Sequence, residues 1–154
     1  MTVRHAILGS RRYPDLDAVA FRVRQLAQRH GTGWILVSGG SQGACFQAEQ
    51  AYKRLGGRIL SLRPGRLPAH NGEPRYGVRD HRHSPGLDPV VVLHELTFDD
   101  FRSAAMYRSM VIAERSTHGD IFWDGASHGS AMEVDFFAAA NTPLKVWRPG
   151  EAPV

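Results

Sequence analysis

The sequence predicts an α/β fold in which a mostly parallel sheet carries helices on both faces. Two observations lead there. Apolar runs of four to six residues, typical of strands buried on both sides, alternate with stretches whose apolar residues recur at helical spacing. Two of the runs end in turns rich in glycine and serine, Ser38-Gly39-Gly40-Ser41-Gln42-Gly43 and Asp124-Gly125-Ala126-Ser127-His128-Gly129-Ser130, and a helical pattern follows each. At 154 residues the chain has the length of one domain, 1–154, able to bury a central sheet.

Residues 3–8 read as a buried strand ending at Gly9-Ser10-Arg11-Arg12. Asp15 or Asp17 caps a helix with Leu16, Val19, Ala20, Val23, Leu26 and Ala27 on its apolar face, which Gly31 and Gly33 stop. Residues 34–37 form a second strand, and a helix carrying Ala44, Ala48, Ala51, Tyr52 and Leu55 follows the first glycine-rich turn. A third strand covers 58–62. From 64 to about 89, five prolines and four glycines break the rhythm, which predicts a long irregular loop. Residues 90–93 are a short edge strand or a buried loop. Asp99 or Asp100 then caps a helix with Phe101, Ala105, Met106, Met110 and Ala113. Strand 120–123 feeds the second turn and a helix through Met132, Phe136, Phe137 and Ala140; strand 144–147 closes the pattern. Five strand–helix repeats imply right-handed crossovers and a doubly wound, Rossmann-like sheet of five strands or slightly more.

The composition is globular, with 42% hydrophobic and 22% charged residues. One cysteine, Cys45, allows no internal disulfide, and no apolar run reaches bilayer length; with no leader-like amino terminus, a cytoplasmic protein without membrane attachment is expected. The formal charge of +4 favours anionic partners. The basic residues are scattered, so nucleic acid is a possible partner but not the favoured one. The histidines His70, His81, His83 and His94 match no metal-ligand spacing, so neither a metal nor another cofactor is expected.

Ligands of doubly wound sheets sit at the carboxyl ends of the strands, where both glycine-rich turns fall. In the first, Gly39, Gly40 and Gly43 permit close approach and positive φ, Ser38 and Ser41 add hydroxyls, and the next helix aims free N–H groups at the same place. The second repeats this with Asp124, Gly125, Ser127, Gly129 and Ser130. Glu133, on the first turn of its helix, has two readings: a carboxylate that binds ribose hydroxyls or stabilises an oxocarbenium ion, or simple compensation of the helix dipole. Gly9, Ser10 and Arg11 or Arg12 should adjoin both turns, with an arginine clamping phosphate. Tyr13 is a candidate to stack on a base, and Arg108 is a further candidate cation. A nucleotide-like small molecule is thus the expected partner.

Gly9-Ser10-Arg11, the segment from Ser38 through Ala44, Tyr107-Arg108-Ser109-Met110 and the segment from Trp123 through Ser130 occur in the order seen in the SLOG superfamily. The chain resembles its YspA-like branch most, over about residues 3–147. The superfamily includes the LOG phosphoribohydrolases, the DprA/Smf proteins and nucleotide-sensing domains. The resemblance implies a Rossmann-like sheet, a nucleotide-derived ligand and a homodimer. Gly129, Ser130 and Glu133 match the G-T-x-x-E part of the LOG phosphate motif, which implies a catalytic role for Glu133 in N-glycosidic hydrolysis. Met106 and Tyr107 stand where LOG enzymes carry Arg-Lys of R-K-x-x-M. Arg108 and Met110 instead match the end of the YspA-like R-N-R-x-M, which implies that Arg108 orients sugar or phosphate. A non-catalytic nucleotide sensor and a DprA-like DNA binder are the alternatives.

Overall fold

A computed structural model describes residues 2–83 and 90–151. Its elements run β1 (Arg4–Gly9), α1 (Leu16–His30), β2 (Ile35–Ser38), α2 (Ala44–Arg54), β3 (Arg58–His70), β4 (Glu73–His83), β5 (Val90–Phe98), α3 (Phe101–Arg115), β6 (His118–Phe122), α4 (His128–Ala139) and β7 (Leu144–Trp147). One seven-stranded sheet has the order β5-β4-β3-β2-β1-β6-β7. The five strands from β3 to β7 in that order are parallel, while β4 and β5 extend the sheet antiparallel. This is the expected Rossmann-like α/β class. The chain leaves β1 toward β2 and β3 on one side and later leaves β6 toward β7 on the other. The strand order therefore reverses between β1 and β6, and a crevice opens beyond their carboxyl ends.

Alternation along each strand divides the core. Ile7, Leu36, Ile59 and Phe122 pack with Val19, Val23 and Leu26 of α1 and with Ala48 and Tyr52 of α2. Ala6, Leu8, Val37, Leu62 and Ile121 face the opposite way, toward Val111 and Ile112 of α3 and Phe137 of α4. Both faces are covered, which is why the central strands read as unbroken apolar runs. Each fully buried Leu, Ile or Phe contributes roughly 1.5–3 kcal/mol. Between the alternative caps, the structure selects Asp15, which accepts from the Ala18 amide at 3.1 Å, and Asp100, which accepts from the Ser103 amide at 2.7 Å.

The irregular loop expected over 64–89 is corrected: β3 runs on to His70 and turns back into β4. Asn71 and Gly72, at φ of 51° and 78°, form a two-residue turn with positive φ at both positions, as a type I′ hairpin requires. Pairing with β2 ends at Ser61, so Pro64 and Pro68 lie on the free edge of β3, where a missing N–H costs no ladder bond. Residues 84–89, including Pro85, Gly86 and Pro89, lie outside the described residues. Residues 90–98 form the edge strand β5. Among the described residues no helix is long and apolar enough to cross a membrane.

Candidate functional site

The crevice between β1 and β6 opens into a cavity of about 440 Å³. Ser10, one residue beyond β1, is buried, and its amide donates to the Phe122 carbonyl at 2.9 Å, locking the first turn onto β6. Its hydroxyl is a junction. Ser10 Oγ shares hydrogen bonds with Ser127 Oγ at 2.9 Å and Ser130 Oγ at 3.1 Å, and it accepts from the Asp124 amide at 3.1 Å. Asp124 Oδ1 in turn accepts from the amides of Ala126 and Ser127 at 2.9 and 2.8 Å. These backbone donors hold the Asp124 carboxyl below the usual carboxylate range. Gly125, at φ 85°, lets the chain turn into α4.

The start of α4 therefore faces the cavity with His128, Gly129 and Ser130, whose amides have no partner one turn back along the helix. The dipole adds positive potential there. Arg11 and Arg12, both exposed, line the same cavity from the β1 side; Arg102 and Arg108 line it from α3. This combination of amides, hydroxyls and guanidinium groups suits an anion with several acceptor oxygens.

Glu133 lies one turn into α4. It is 8% exposed, and Ser109 Oγ donates to its Oε2 at 3.3 Å. Burial pushes its carboxyl up to about 7, against the opposing pull of the Arg108 charge and the Ser109 hydrogen bond. Near neutrality, both protonation states of Glu133 are thus accessible. Arg108 donates through Nη1 to the Gly39 carbonyl and through Nε to Ser109 Oγ at 3.3 Å. It joins the first glycine-rich turn to the Glu133 pair. Cys45 is buried behind this group, and desolvation together with the Glu133 charge raises its thiol pKa, which disfavours a nucleophilic thiolate.

The two glycine-rich turns do not share the cavity equally. The second contributes Asp124, Ser127, Gly129 and Ser130 to its lining; the first contributes Ser41. A Cβ on Gly39 would lie 2.9 Å from Arg108 Nη1, and one on Gly40 2.6 Å from Arg63 Nε. At Gly43 it would lie 2.5 Å from the Arg11 carbonyl oxygen. These glycines are shaped by the protein's own arginines and backbone. Ser38 is fully buried, with its hydroxyl accepting from the Gly40 amide at 3.2 Å. Gly9 lines the cavity, and there a Cβ would meet the Phe122 carbonyl oxygen at 2.5 Å and Ala44 Cβ at 2.6 Å.

Base stacking by Tyr13 is also corrected. Its ring is 3% exposed and packs edge-on against Phe122, with ring centroids 5.5 Å apart. Of the apolar residues on α3 and α4, Phe137 is core, whereas Met106 and Phe136 line the cavity. His70 is exposed on β3, and the side chains of His81, His83 and His94 lie outside the described residues. Sequence reasoning missed Arg102, Ala105 and Ser109 as wall residues. With Met106 they recur at the i, i+3, i+4, i+7 spacing of one helix face, which takes Ala105 and Met106 from the apolar set and adds the polar Arg102 and Ser109.

No family model matches the chain, and no curated protein matches it. Solved structures do. DNA processing protein A from Helicobacter pylori, described as a single-stranded DNA binder, matches with a TM-score of 0.66 at 21% identity over 99% of this chain and 69% of that one. DNA processing protein A (DprA) from Streptococcus pneumoniae gives 0.61 at 17% identity, covering 94% of this chain and 50% of that one. The Moco carrier protein of Chlamydomonas rheinhardtii gives 0.51 at 20% identity, covering 95% and 76%. At these identities the likeness shows the fold alone, a Rossmann-like domain of the kind found in DprA.

Proposed function

We propose that the cavity between β1 and β6 binds a phosphate-bearing nucleotide or nucleotide-derived ligand, and that the chain is a YspA-like member of the SLOG superfamily. One observation carries the reading: the open end of α4, the Ser10–Ser127–Ser130 hydroxyl cluster and four arginines converge on one cavity at the switch point of the sheet. The phosphate sits on the α4 amides. Arg11 or Arg12 closes over it, and Arg108 orients the sugar or phosphate.

Glu133 is the group that would support chemistry. In N-glycosidic cleavage of a nucleoside 5′-monophosphate, the C1′–N bond breaks, water supplies hydroxyl to C1′, and the base leaves with a proton. A carboxylate under the sugar stabilises the positive charge that develops at C1′. Binding without turnover, as in a sensor, is the alternative, and the apolar Met106 in the cavity wall favours it, since it supplies no charge to the reacting sugar. The DprA likeness motivates a third reading, single-stranded DNA tracking across the same arginines.

Calorimetric titration with the four common nucleoside 5′-monophosphates, with chromatography for released base, separates these readings. Micromolar binding with free base supports the hydrolase, and binding without base supports the sensor. If no nucleotide binds while single-stranded DNA does, with affinity falling steeply as salt is added, the DNA reading replaces both.

A further inference from the structure

A second cavity, of about 770 Å³, lies at the opposite pole of the sheet, beneath the amino-terminal ends of β1, β2, β6 and β7. Its walls combine apolar surface from Val3, Leu26, Trp34, Pro143 and Leu144 with the basic or imidazole side chains of His5, Arg22, His118 and Lys145. Its lining contains no aspartate or glutamate among the described residues. The nearby carboxylate, Asp120, is fully buried behind the wall and already engaged. It pairs with His5 Nε2, accepts from Arg22 Nε at 3.2 Å and accepts from Trp147 Nε1 at 2.6 Å. Burial works against its charge, yet these donors and the His5 and Arg22 charges keep its carboxyl below the usual range.

Asp120 is thus shared between Arg22 and His5, and Gln25 Oε1, which accepts from Arg22 Nη1 at 2.7 Å, brings no charge. His5, held by Asp120, stacks with His118 at a centroid distance of 6.0 Å; Lys145, exposed at the rim, and the exposed His118 face the cavity with no carboxylate in its lining to match them. The volume suits a small organic ligand rather than a single ion. Trp34, 5% exposed and held against Tyr52 with ring centroids 3.9 Å apart and by its indole N–H donating to the Gly31 carbonyl at 2.9 Å, is a fixed floor beneath the more accessible Val3 and Leu144. Such a wall favours a flat apolar body, and the charge asymmetry favours an anionic head.

We propose that this basal cavity is a second ligand site, for a small aromatic anion whose ring lies between Val3 and Leu144 over the Trp34 floor and whose carboxylate or similar group meets Lys145 and His118. It shares no lining residue with the cavity at the other pole, so one site can fail while the other stands.

The test is amide chemical-shift mapping with 2-naphthoate and with its neutral counterpart, 2-naphthamide. The expected result is saturable shifts at Val3, Gly33, Gly119 and Leu144, with the amide weaker by about tenfold. Lys145→Glu, at an exposed position, should weaken naphthoate by about threefold or more and leave naphthamide unchanged. The proposal is overturned if neither compound gives saturable shifts there, if the two bind equally, if naphthoate is indifferent to Lys145→Glu, or if the shifts fall instead at Ser10, Ser127 and Gly129.

Discussion

The turns after β2 and β6 are written in nearly the same residues and do different work. Both follow a buried parallel strand, both combine glycine with serine, and both open a helix. After β2, the space that a missing side chain leaves is filled from within, by Arg108 over Gly39, Arg63 over Gly40 and the Arg11 carbonyl against Gly43. After β6, no atom of the described residues beyond the neighbouring backbone of α4 lies within 4 Å of a Cβ built on Gly129, and the helix end stays open to the cavity. Glycine permits close approach; what approaches is decided by the rest of the fold. The first turn is a joint between strands and arginines, and the second is the mouth of a cavity.

Substitutions sharpen this contrast, beginning with the largest effect. Gly43→Ala combines a φ of 85° with a backbone oxygen 2.5 Å from the new Cβ, so it should destabilise the protein by about 3 kcal/mol or more in denaturant titration. Gly125→Ala has a similar φ, but its new Cβ meets the end of the Arg148 side chain at 3.0 Å, which can swing away. The expected loss is about 1 kcal/mol. Equal losses at the two positions would erase the distinction between joint and mouth.

Glu133 comes next. Its folded carboxyl titrates near 7, above its ordinary value, so the folded state holds a proton that the unfolded chain has already released. The resulting contribution is fully present below the ordinary carboxylate pKa and is lost as pH rises through about 7. Glu133→Gln should flatten that fall and stabilise the protein at pH 8 by about 2–3 kcal/mol relative to the parent, measured by denaturant titration across pH. Arg108→Ala removes the bond to Gly39 and a cation from the cavity. About tenfold weaker binding of a nucleoside 5′-monophosphate is expected by calorimetry.

The smallest effect has the opposite sign. Gly129 sits in the first turn of α4 with open space around it, so Gly129→Ala should raise stability by about 0.5–1 kcal/mol, read as a higher midpoint in denaturant.

The sequence made much of this molecule legible where local physics and tertiary packing agree. The apolar runs of β1, β2 and β6, buried on both faces, stand out; β7 runs over 144–147 as expected; and the caps Asp15 and Asp100 were among the aspartates named. The hairpin of β3 and β4 is hidden in the sequence because prolines 64, 68 and 74 read as breakers, although Pro64 and Pro68 lie beyond the reach of β2. The signal that could have found it was Asn71-Gly72 between two β-prone stretches. Around the cavity, Glu133, Arg108 and the lining serines Ser10, Ser127 and Ser130 stand out from spacing and resemblance. The inequality of the two turns was invisible, because it depends on which arginine reaches over which glycine, a contact between residues as far apart as Gly39 and Arg108.

The most direct test of the central claim is amide chemical-shift mapping during titration with adenosine 5′-monophosphate. The expected result is saturable shifts concentrated at Ser10, Asp124, Ser127, Gly129 and Ser130, with smaller changes at Gly39 and Gly40 relayed through Arg108. Saturable shifts centred on Gly39, Gly40 and Gly43 with Gly129 and Ser130 unmoved, or no saturable shifts in either turn, would contradict it.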